Sequence, residues 1–141
     1  MRREDFELLV EEGFARLPEK FRKKIKNVAF LVESEPSEEV RKEVGLSDHE
    51  TLLGFYRGIP ATARGEGYGV GGTLPDTIFI YQKPTEDEAY ELVGLPASDE
   101  VFRETVRKVV ADTVWHEVAH YFGMDEDAVS AREARREKEE E

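Results

Sequence analysis

Residues 98–125 read SDEVFRETVRKVVADTVWHEVAHYFGMD, and the rest of the chain is best read outward from them. Ser98 is a helix N-capping residue type, Glu100 and Glu104 fall in the first turns, and no Gly or Pro interrupts the run before Gly123. Phe102, Val106, Val109 and Thr113 recur at three- and four-residue intervals, so the spacing predicts a long helix from Ser98 to Phe122 with one apolar stripe. The same stripe runs on to His116 and His120, while Arg103, Glu104, Arg107, Lys108 and Asp112 fall on the other side. The histidines are therefore expected to point inward, at the floor of a cleft.

His116-Glu117-Val118-Ala119-His120 is the pattern H-E-x-x-H, which ordinary composition would produce in a chain this long only a few times in a thousand, roughly. Residues four apart on a helix stand one above the other, with Cβ atoms about 5–6 Å apart, so both imidazoles can reach one ion. Glu117 lies about 100° further round the helix, off the histidine row but within reach of a water on that ion, where it can act as general base. Gly123, three residues past His120, suits the left-handed turn that ends a helix and folds the chain back. Asp125 can then return as a third ligand, giving two imidazoles, one carboxylate and one open position, the pattern of a catalytic zinc site. Glu126, Asp127 and Glu133 are rivals for that place, and an N-cap role for Asp125 is the plain structural alternative.

Upstream, Phe6, Leu9, Val10, Phe14 and Leu17 predict a helix over about 4–16, stopped by Pro18. A short basic helical turn through Phe21 and Ile25 follows. Val28–Val32, Leu52–Tyr56 and Thr77–Tyr81 read as strands, with a short helix over Ser37–Val44 between the first two and another from about Thr85 to Val93 after the third. Residues 64–73 hold five glycines and read as an irregular loop. Gly67, Gly69 and Gly72 satisfy G-x-G-x-x-G formally, but Thr73-Leu74-Pro75-Asp76 follows where a dinucleotide site needs a helix to open. The tail, about 128–141, is charged and helix-prone.

At 141 residues the chain has the size of one domain, 1–141, large enough to fold without disulfides or metal. Fourteen aromatic side chains can seed a core. A net charge of −12, from 32 acidic and 20 basic residues, argues against nucleic acid and anionic lipid as partners. No membrane span and no secretory leader is legible, so the cytoplasm is the expected compartment. The absence of cysteine removes thiol chemistry and zinc ribbons, so a transition-metal site must be built from His, Asp and Glu. Asn27 is the only asparagine and Gln82 the only glutamine, a scarcity that, beside so many charges, points to a thermophilic source.

The string His116 to Glu126 resembles the H-E-x-x-H-x-x-G-x-x-D active-site helix of a small bacterial family of zincin-like metallopeptidases. Leu53-Gly54-Phe55-Tyr56-Arg57-Gly58-Ile59-Pro60, then Leu74-Pro75-Asp76 and Ile78-Phe79-Ile80-Tyr81, are similar to that family's strand, G-x-P turn, L-P-D turn and second strand. The resemblance covers about Leu52 to Glu126. It implies an α+β fold, a minimal zincin with a small twisted sheet of three to four strands on a long active-site helix. It also implies Zn²⁺ on His116, His120 and Asp125, with Glu117 as base. No methionine follows Met124, so a downstream Met-turn is not expected, and the stretch after Gly123 is too short for a second subdomain.

The leading expectation is a zinc-dependent peptidase acting on a peptide or protein laid against an edge strand, for which Thr77–Tyr81 is the candidate. Tyr121, Tyr81, Tyr68, Arg64 and His49 are candidate transition-state donors, each with an ordinary packing role as its alternative. A zinc-binding interaction domain of the same fold, with little or no turnover, is the competing class.

Overall fold

The computed structural model describes residues 1–58, 76–94 and 98–123. The Gly-rich loop at 64–73, with Arg64 and Tyr68, and Asp125 with the charged tail lie outside these residues. The elements run α1 (Arg3–Ala15), α2 (Glu19–Arg22), β1 (Val28–Glu33), α3 (Glu38–Val44), β2 (Gly54–Arg57), β3 (Asp76–Tyr81), α4 (Gln82–Val93) and α5 (Asp99–Tyr121). The fold is α+β, a three-stranded mixed sheet with helices, the longest of which is α5.

Local signals account for most boundaries. Pro18 ends the first helical run and caps α2, and the Ser37 and Ser98 hydroxyls accept hydrogen bonds from Val40 N and Val101 N, each at 3.2 Å, at the starts of α3 and α5. Two boundaries differ from expectation. The second strand begins at Gly54 rather than Leu52, and α4 starts at Gln82, directly after β3, with Pro84 inside its first turn. A first-turn N–H has no partner within the helix, so proline is tolerated there and does not delay the start.

β3 lies at the centre of the sheet, in the order β1-β3-β2. β1 pairs with it in parallel, Phe30 opposite Ile78, and β2 antiparallel, Tyr56 opposite Ile78. This corrects the expectation that Thr77–Tyr81 is an edge strand: among the described residues the edges are β1 and β2. Ile78 and Ile80 of this central strand are fully buried, whereas Thr77 and Phe79 on its other face are only partly so.

The core forms where α1 and α5 cover one face of the sheet. Phe6, Leu9 and Val10 of α1 meet Val106, Val110, Val114, Trp115 and Val118 of α5 over Ile78 and Ile80 of β3. Fully burying side chains of this size stabilises a fold by about 1.5–3 kcal/mol each. Among the described residues no helix is long and apolar enough to cross a membrane.

β2 approaches α5 through Gly54. A Cβ there would sit 2.8 Å from Thr113 Cγ2, 3.0 Å from the Phe79 carbonyl oxygen and 3.1 Å from Glu117 Cγ. Only a residue without a side chain lets strand and helix come this close. Gly54→Ala is expected to lower stability by about 1–3 kcal/mol, as overpacking of a tight contact does, measured by denaturant unfolding; an unchanged midpoint would show that the contact gives way freely.

Candidate active site

α5 brings His116, Glu117 and His120 into one cluster, with one ligand atom from each lying within 4.8 Å of the others. The two imidazole centroids are 5.0 Å apart, as the four-residue helical spacing requires. The histidines are half-buried, whereas Glu117 is only 6% exposed. The carboxylate thus sits deep, under β2, and the imidazoles stand nearer the surface. These three side chains could hold a metal ion, and two imidazoles beside a carboxylate form a donor set that suits zinc.

The cluster lies on the wall of a cleft of about 800 Å³. Its walls come from Leu52 to Tyr56 on the β2 side, from Glu88 and Leu92 of α4, and from Val109 to His120 along α5. Such a volume lies within the range of small-molecule and peptide sites. Gly123, with φ 79°, makes the left-handed turn that the sequence predicts just beyond α5, its N–H donating to the His120 carbonyl at 2.9 Å.

One assignment on α5 changes. The sequence reading runs one apolar stripe into the histidines and puts Asp112 on the far side. In the structure Val106, Val110, Val114 and Val118 form the deepest stripe, each fully buried, and the cleft wall is a neighbouring stripe of Val109, Asp112, Thr113, His116 and His120. Asp112, one turn before His116, is exposed as its polar side predicts, yet it also reaches the rim of the cleft. Helical periodicity gives the direction of an apolar face but not its width, so two adjacent stripes read as one.

The candidate donors separate clearly. Tyr121 is buried, and its hydroxyl accepts from Lys26 N at 3.3 Å and donates to Lys26 O at 3.4 Å, tying the end of α5 to the chain just before β1. Tyr81 is fully buried but absent from the cleft lining, and by strand alternation it faces away from Ile78 and Ile80. Burial pushes its hydroxyl up to about 12, the Glu33 carboxylate adding to the effect and Arg57 opposing it, so it stays protonated at ordinary pH. His49 does not line the cleft.

Tyr56, which sequence reasoning did not single out, does line the cleft. Its hydroxyl donates to Asp76 Oδ2 at 2.6 Å, and Asp76 is only 3% exposed. A Cβ at Gly58 would lie 2.3 Å from Asp76 Cγ, so the backbone at Gly58 packs directly on that carboxyl. The available signal was the period of two that puts Tyr56 on the same strand face as Gly54.

A family model described as zincin-like metallopeptidase matches residues 25–136, a span that includes all three strands, α4 and α5. No curated protein sequence matches the chain. The match covers most of the chain, and the His-Glu-x-x-His signature is assembled in space on α5: the chain belongs to the zincin-like metallopeptidase family.

Proposed function

We propose that this protein is a zinc-dependent peptidase in which His116 and His120 bind the ion and Glu117 is the general base. The observation that carries the reading is the buried Glu117 carboxylate, with an oxygen within 4.8 Å of ligand nitrogens of both histidines, in a cleft that runs along β2. A cation held by the adjacent imidazoles would interact favourably with a carboxylate in so buried a place, where electrostatic interactions are strong. When bound, zinc supplies Lewis-acid polarisation of the scissile carbonyl and lowers the pKa of a coordinated water toward 7.

The protein's own groups do the rest. A carboxylate oxygen of Glu117 takes the proton of the attacking water and returns it to the departing amine. β2 is an edge strand among the described residues, where an extended substrate can bind by strand addition. Gly54 holds that edge close to Glu117.

Asp125 is the third ligand in this proposal. α5 ends at Tyr121 and the chain turns at Gly123, so a short carboxylate two residues later has the reach to return toward the histidines. Glu126 and Asp127 lie out of phase with the motif, and a Glu133 ligand would require a very polar segment to fold back under the cleft.

Purified protein is expected to hold about one zinc per chain by elemental analysis, and His116→Ala or His120→Ala to lose it. Equal metal content in all three proteins would remove the site. Chelation should lower the melting temperature without unfolding the chain, because the core packs independently of the ion. Glu117→Gln should retain zinc yet lose peptidase activity by at least about a hundredfold, the usual contribution of a positioned base. Cleavage by that variant at the wild-type rate would exclude Glu117 from the role. Zinc titration should show a large affinity loss for Asp125→Ala and little for Glu133→Ala; the reverse would reassign the ligand.

A further inference from the structure

The cleft is chemically uneven along its length. β2 and α5 run in the same direction, Gly54 lying against Thr113 and Glu117 while the Tyr56 ring meets Tyr121 edge-on at 6.2 Å. The metal-binding cluster therefore lies beside β2, and the cleft continues from it toward the amino-terminal half of α5. There the wall is α4, fixed to α5 by the stack of Tyr90 on Phe102 at 4.2 Å between centroids.

At that end the lining consists of apolar side chains, Val44, Leu52, Leu92 and Val109, together with two carboxylates, Glu88 of α4 and Asp112 of α5. Glu88 is half-buried and makes no side-chain hydrogen bond or ion pair among the described residues. Among the described residues no lysine or arginine lines the cleft. Apolar walls topped by carboxylates match one kind of substrate group, a long methylene stem with a cationic head.

We infer that this end of the cleft is a specificity subsite for a lysine or arginine side chain of the substrate, with Glu88 receiving the cation and Asp112 adding negative charge at the exposed rim. The inference rests on the peptidase reading and deepens it by naming the substrate class. Asp112 precedes His116 by four residues, about 6 Å of helical rise, close to two residues of extended chain. The selected side chain therefore belongs about two positions from the scissile bond. An acidic peptide is disfavoured by the same two carboxylates.

The test uses binding as well as turnover. Zinc-loaded Glu117→Gln protein is titrated with peptides that differ at one position only, Lys, norleucine or Glu, the position being scanned along the peptide. At one position Lys should bind roughly tenfold tighter than norleucine, the stem being shared and the charge not, and Glu more weakly than either. Glu88→Gln and Asp112→Asn, nearly isosteric changes, should each shrink the Lys-to-norleucine ratio, as should raised salt. Equal affinities at every position, or a ratio untouched by both substitutions, would overturn the subsite. Lys-selective binding together with no cleavage of any peptide by zinc-loaded wild type would overturn the peptidase reading and leave the subsite standing. Cleavage by wild type with no basic preference would do the opposite.

Discussion

Everything at the site depends on how closely β2 lies on α5. At Gly54 the clearance is so small that a methyl group would contact Thr113, the Phe79 carbonyl and Glu117 together. This approach buries the Glu117 carboxylate beneath a strand edge while leaving His116, one residue before it, and His120, three residues after it, half-buried. A wider spacing would admit water and weaken every electrostatic interaction that the carboxylate makes, since such interactions grow as the local dielectric falls. The same contact brings β2, an edge strand among the described residues, alongside the cluster.

That approach is fixed at both ends of β2. At the far end Tyr56 donates to the buried Asp76, and the backbone of Gly58 packs on the same carboxyl. Gly58, just after β2, and Asp76, the first residue of β3, are therefore two halves of one interaction, although 18 positions separate them in sequence. Tyr121 plays a similar part for α5, its hydroxyl bridging to the Lys26 backbone just ahead of β1.

The balance between what was legible in the sequence and what was not follows the range of the interactions involved. Helix caps, the glycine turn after α5 and the His-Glu-x-x-His cluster are set by residues within about one helical turn of each other, and these were read correctly down to Ser98 and Gly123. The strand order was not legible, because an apolar run such as Thr77–Tyr81 states that it is buried without stating between which neighbours. Its central place follows from the β1 and β2 pairings, which are long-range. The exposure of Asp112 was read correctly, but its reach to the cleft rim was missed for a related reason. That reach is decided by where α4 and β2 leave a gap, and the helical period alone cannot locate a gap.

The arrangement of α5 also explains how one short domain can carry both a core and a cleft. Its deep valine stripe packs on α1 and the sheet, and the adjacent stripe bears every described candidate ligand. Changes in the second stripe leave the first in contact with its partners, so binding and folding are only weakly coupled through this helix. Glu117 is the exception, since it lies at the boundary and is buried like a core residue while belonging to the cleft. Its position removes the carboxylate from solvent, so the groups it meets there decide what its burial costs. A strand that sets aside a glycine at its closest approach to this helix is organised around that carboxylate.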